Sequence, residues 1–137
     1  MRKTAITTHR QLRLVDLENL AGQPVVSLDN ATSVAQRLEV ILPRGADDLQ
    51  AVATAHISGF AAKRAFPGAT VRWRSGKDGA DRALLEFAGE LPLSRFRELV
   101  VASADAIFAG LIDEARTAGL TVTVVADTAR TSRRMLE

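Results

Sequence analysis

The sequence contains no cysteine, which excludes a disulfide framework and a thiolate zinc site and makes a reducing cytoplasm the expected setting. No apolar run approaches the roughly 20 residues that a membrane-spanning helix needs. The opening stretch MRKTAITTHRQLR is basic but polar, so a soluble, unexported protein with no membrane partner is expected. Glycine-rich phosphate loops are also missing, since neither G-x-G-x-x-G nor G-x-x-x-x-G-K-[ST] occurs, and a nucleotide-binding module ranks last among the functional readings. Histidine is scarce: His9 and His56 have no metal-ligand spacing, His9 reading as solvated and His56 as incidental at a strand end.

The 137 residues that are present fall in the size range of one self-supporting domain. We expect a single domain over 1–137 with flexible ends at 1–10 and 128–137. The net charge is only +2, but basic residues cluster at Arg2, Lys3, Arg10 and Arg13, at Arg72, Arg74 and Lys77, and at Arg130, Arg133 and Arg134. Such clusters suit a polyanionic partner and are equally compatible with a merely solvated surface.

Apolar periodicity predicts strands alternating with helices. Gln11 to Leu17 turns apolar and ends in acidic residues, as a buried strand would. Asp29 to Leu42 has helical spacing, with Asp29 or Asn30 as its cap and Pro43 and Gly45 ending it. Leu49 to His56 reads as a second strand and Ile57 to Phe66 as a helix closed by Pro67-Gly68. Ala69 to Arg74 alternates as a third strand with Trp73 on its core side, although an exposed Trp73 flanked by Arg72 and Arg74 would be a base-stacking platform. Asp81 to Leu91 is helical, Glu98 to Ser103 is a short buried strand, and the helix from Asp105 ends at Ala118-Gly119. Thr121 to Ala126 is the last strand, and the tail beyond it shows no further core pattern. This alternation implies an α/β fold: a mostly parallel five-stranded sheet with helices on both faces, whose ligands bind outside the carboxyl ends of the strands.

Carboxylates stand at those ends: Asp16 after the first strand, Asp105 after the fourth and Asp127 after the fifth, with Asp78 and Asp81 following the third. Carboxylates repel unless a cation offsets their charge, so their convergence would point to a divalent ion with oxygen ligands, Mg²⁺ or Mn²⁺. Asp81 and Asp105 could instead simply cap helices. Asp16 is harder to explain that way, because an acid after LRLV in a buried strand costs several kcal/mol unless something pairs with it. Glu18 could support the site or be a surface charge, and Asn19 could orient Asp16 or cap a turn.

Three blocks, LVDLENL at Leu14 to Leu20, SGKDGADRALLE at Ser75 to Glu86 and VVASADAIFAGLIDEARTAGLTVTVV at Val100 to Val125, resemble the signature blocks of bacterial NYN domains, and together they cover nearly the whole chain. The resemblance implies a PIN-like Rossmannoid three-layer sandwich and, in active members, metal-dependent RNA cleavage. Carried over residue by residue, it assigns metal binding and catalysis to Asp16, Asp81 and Asp105, with Asn19 as companion to Asp16 and Glu18, Asp78 and Ser103 in support. One departure stands out: Ala104 and Ala106 occupy positions where the family commonly has S-G-D-G followed by an acidic or polar residue, so an extra ligand is missing.

The expected function is a metal-dependent endoribonuclease that cleaves RNA phosphodiester bonds with metal-activated water. Phosphate contacts would come from Arg72, Arg74, Lys77, Arg133 and Arg134. The alternative is a non-catalytic module that binds RNA or a protein partner, or acts as a homodimer, with a partly lost active site.

Overall fold

The computed structural model describes residues 10–22, 25–45, 47–55, 58–74, 78–126 and the backbone of 134–136. The elements are β1 (Gln11–Asp16), α1 (Leu17–Ala21), α2 (Leu28–Ile41), β2 (Leu49–Thr54), α3 (Gly59–Ala65), β3 (Thr70–Trp73), α4 (Gly79–Gly89), β4 (Glu98–Ala102), α5 (Ala109–Thr117), β5 (Thr121–Val125) and β6 (Arg134–Leu136). Single 3₁₀ turns precede β4 at Leu93–Arg95 and α5 at Ala106–Phe108.

The strands form one sheet in the order β3-β2-β1-β4-β5-β6. The first five are parallel, and β6 runs antiparallel to β5 at the edge. The five-stranded parallel core is the expected one. The edge strand β6 was not anticipated from the tail, where pairing needs only backbone groups and leaves no apolar signature.

Alternation along each strand divides the core in two. Leu12, Leu14, Ala51, Ala53, Leu99, Val101, Val122 and Val124 face α4 and α5, which bury Leu84, Phe87, Leu111 and Ala115 against them. Val15, Val52, Val100 and Val125 face the other way, onto Leu17 and Leu20 of α1, Ala31, Val34 and Leu38 of α2 and Ala61 and Ala62 of α3. The result is a three-layer α/β/α sandwich of Rossmannoid type, with both sheet faces covered. No helix among the described residues is long and apolar enough to cross a membrane.

Two local expectations are corrected. The cap of α2 is Ser27, whose hydroxyl accepts from the Asn30 amide at 3.1 Å, so Asp29 and Asn30 lie inside the first turn. The first strand stops at Asp16, and Leu17 begins a five-residue helix. Leu17 is buried on the α2 side, and nothing in the apolar run distinguishes that burial from one more strand residue.

The chain leaves β1 for β2 and β3 on one side, then returns to place β4 and β5 on the other. The order therefore reverses between β1 and β4, and the connections beyond these two strands diverge towards opposite faces. In open α/β sheets the crevice at such a reversal is where ligands bind.

Candidate metal centre

Asp16 and Asp105 stand on the two sides of that crevice. Asp16 ends β1 and caps α1, accepting from the Asn19 amide at 3.3 Å. Asp105 follows β4 and accepts from the Ile107 amide at 3.0 Å, which fixes the 3₁₀ turn into α5. Ser103 ties the two together: its hydroxyl donates to Asp16 Oδ2 at 3.3 Å and accepts from the Asp105 amide at 3.2 Å. Asn19 closes the connection, its Oδ1 accepting from the Ala104 amide at 3.2 Å. Asp16 and Asp105 thus both cap the turns that follow them, and Ser103 and Asn19 bridge the two segments by hydrogen bonds.

Asp81 comes from the first turn of α4 and fills the space between. Its carboxyl lies against those of both Asp16 and Asp105. It is only 5% exposed, and its Oδ1 is buried without a hydrogen-bond partner. Burial first, and then contact with the two other carboxyls, push its pKa from 3.8 to about 9. Asp105 is held below its ordinary value by the hydrogen bond from Asp81 and by the Ile107 amide. At neutral pH, with no cation bound, Asp81 is therefore a carboxylic acid that donates towards Asp105, because three anions in contact cannot all stay ionised.

Asp78, assigned only a supporting part from sequence, joins Asp81 and Asp105 in the group of carboxylates that could hold a cation, and Asp16 is not in that group. Asp78, Asp81 and Asp105 each place a carboxylate oxygen within 4.8 Å of the others. The backbone of Asp78 is left-handed (φ 60°, ψ 20°), and its side chain makes no capping bond to α4. Among the described residues it is the only non-glycine with positive φ, and such conformations persist where the surroundings over-determine them.

Gly79 supplies the determinant that sequence reasoning missed. A Cβ at this position would stand 2.4 Å from the Arg74 carbonyl oxygen, so only glycine lets the start of α4 approach the end of β3 this closely. That contact delivers both Asp78 and Asp81 to the crevice. The D-G-A-D spacing was the available signal, since a glycine between two acids at a helix start marks close backbone approach.

Glu18 lies apart from this group. In helix α1 rather than on a strand, its carboxylate accepts from the Thr54 hydroxyl and the Ala55 amide, closing off the end of β2. Ala106 is exposed and carries no ligand atom.

The basic residues are less available than expected. Arg13 is 1% exposed and donates to Gln11 Oε1 and to the Leu42 carbonyl at the end of α2, so it is removed from the surface cluster. Arg72 lies 4.0 Å from Glu90, with its guanidinium 5.3 Å from the Phe87 ring centroid. Arg74 pairs with Glu86 at 2.8 Å. Trp73, expected on the core side, is 46% exposed, with Gly59 of α3 lying against its ring. Arg2, Lys3, His9, His56, Lys77, Asp127, Arg130, Arg133 and the side chain of Arg134 lie outside the described residues.

No family model, no curated protein and no solved structure matches the chain.

Proposed function

We propose that the chain is a metal-dependent endoribonuclease of NYN type, acting in the cytoplasm, with Asp16, Asp78, Asp81 and Asp105 as the ligands of Mg²⁺ or Mn²⁺. The observation that carries the reading is Asp81 Oδ1, a buried carboxylate oxygen without a partner in contact with two further carboxyls. Such an arrangement destabilises the fold unless a proton or a cation offsets the charge, and an all-oxygen donor set suits a hard divalent ion. The resemblance of the three sequence blocks to NYN domains supports the same assignment.

When bound, the cation would supply a Lewis acid that makes water nucleophilic at neutral pH and offsets charge on the leaving oxygen. The chain's own residues do the rest. The Asn19 amide and the Ser103 hydroxyl each hold one oxygen of Asp16, and the Ile107 amide holds Oδ1 of Asp105, which fixes the orientation of both carboxylates. Asp81 would have to give up its proton to hold a cation, which would link affinity to pH. Asp78, exposed at the rim, completes the oxygen set on the solvent side.

Incubation with single-stranded RNA tests the reading. Cutting is expected in Mn²⁺ or Mg²⁺, chelator should stop it, and Asp105→Asn should lower the rate at least a hundredfold while RNA binding persists. Intact RNA at saturating Mn²⁺, or equal cutting by the variant, would sink the assignment.

A second reading, a non-catalytic module that binds RNA or protein, is favoured by one specific pair of observations. Ile107 stands where an acidic or polar residue commonly follows S-G-D-G, and Arg72 and Arg74 each lie beside a glutamate that offsets their charge. RNA binding without cutting is its signature.

A further inference from the structure

Phe60 and Trp73 are large aromatic side chains that stay substantially exposed at one edge of the fold. Phe60 is 70% exposed and Trp73 46% exposed, a poor use of large apolar side chains unless something covers them. They are neighbours: Gly59, the residue before Phe60, lies directly under the indole, where an added Cβ would come within 2.8 Å of Trp73 Cε3 and 3.3 Å of Cδ2 and Cζ3. Glycine at this position lets the ring lie against the α3 backbone, held on that side.

The patch is cationic. Arg64 holds its guanidinium 5.8 Å from the Phe60 ring centroid, and Lys63 precedes it on the exposed side of α3. Neither α3 (GFAAKRA) nor β3 (TVRW) contains an acidic residue. The glutamates that face Arg72 and Arg74 belong to α4 and its end, on the opposite face of the sheet. Aromatic faces interleaved with Arg and Lys are the surface on which unpaired bases stack while their phosphates meet positive charge.

The patch also lies at the carboxyl edge of the sheet. Asp16 is in register with Ala53, and Ala53 with Arg72, so Trp73 stands one residue beyond the row of Asp16 and two strands away, about 10 Å at the usual strand spacing. We infer that Phe60 and Trp73, with Lys63 and Arg64, are a stacking subsite for an unpaired nucleobase of single-stranded RNA, at the same carboxyl edge of the sheet as the carboxylates. This rests on the ribonuclease reading for the identity of the nucleic acid and adds where the strand is gripped.

The test exploits composition, because Trp73 is the only tryptophan and the chain has no tyrosine, so emission reports the patch alone. With chelator present to prevent cutting, titration with a short oligoadenylate should quench Trp73 saturably, and the same sequence in a duplex should not. Phe60→Ala should weaken the single-strand Kd about tenfold or more, and Lys63→Gln with Arg64→Gln should flatten its salt dependence. The inference is overturned by cutting without quenching, by Phe60→Ala binding as the wild type does, or by emission that follows protein concentration instead of RNA, which would make the patch an interface between copies. Quenching without cutting would sink the nuclease reading alone and leave the subsite standing.

Discussion

Strand β1 buries a charge near each end, Arg13 at 1% exposure and Asp16 at 5%, and the two ends deal with the cost in opposite ways. Around Arg13 the sequence assembles opposite charge: Glu39 lies 3.9 Å away, and Glu39, Asp48 and Glu98 together resist the lowering of its pKa by burial. Its guanidinium also meets an orphan carbonyl at the end of α2, where the helix dipole favours a cation. Around Asp16 and Asp81 the sequence assembles more of the same charge. Both ends leave buried polar atoms without a hydrogen bond, Nε and Nη2 of Arg13 and Oδ1 of Asp81. The charge of Arg13, however, is offset by carboxylates of the protein itself, whereas the acidic group is offset only by a proton or a cation. A buried charge with opposite neighbours reads as structure, and one with like neighbours reads as a site awaiting a ligand.

Removing Arg13 should give the largest effect at the self-sufficient end. Arg13→Ala is expected to cost roughly 2–4 kcal/mol in denaturant unfolding, through the lost packing of the stem and the unsatisfied Leu42 carbonyl. Arg13→Met should recover most of that loss, and neither substitution should alter the response to Mn²⁺. A changed Mn²⁺ response would mean that the two ends are not independent.

Gly79→Ala should act at the other end and cost about 2–3 kcal/mol, because the backbone must move off the Arg74 carbonyl and overpacking of this kind is absorbed poorly. Stabilisation by Mn²⁺ should fall with it, since the same movement displaces Asp78 and Asp81. Full retention of that stabilisation would show that the close approach does not position the carboxylates.

The pH dependence in chelator sharpens the contrast. The Asp81 pKa is raised from 3.8 to about 9 in the fold, so between those values the folded state holds a proton that the unfolded state has released. Stability should therefore fall as pH rises across that window. Asp81→Asn mimics the protonated acid, so it should match the wild type near pH 4 and melt higher at pH 8, by on the order of 5 °C. A variant that melts lower at pH 8 would contradict the like-charge account. The smallest effect is expected for Arg74→Gln, under about 1 kcal/mol, because its pair with Glu86 is exposed and screened.

The alternation of strands and helices was legible because each strand is a continuous or alternating apolar run bounded by turn residues, and Asp16 and Asp105 were legible because they stand at or just past the ends of such runs. Other features depend on contacts that local pattern does not encode. Leu17 is buried whether β1 continues or turns into α1, so the short helix and the different direction of Glu18 were hidden. Arg13 looked like one of several surface cations because its partners come from α2 and from the segments beginning β2 and β4, far away in sequence. Trp73 follows the alternation onto the expected face, against Gly59, but β3 borders the sheet and the ring stays 46% exposed. Asp78 was undervalued because a left-handed backbone is not written in an aspartate.

The central claim is that Asp16, Asp78, Asp81 and Asp105 bind a divalent cation at the expense of a proton. Calorimetric titration of Mn²⁺ into chelator-treated, desalted protein at pH 7, in two buffers of different ionisation enthalpy, tests it directly. We predict saturable binding accompanied by release of about one proton, with both signals lost in Asp81→Asn. Absence of saturable binding in the wild type, or binding with the same proton release in Asp81→Asn, would contradict the account.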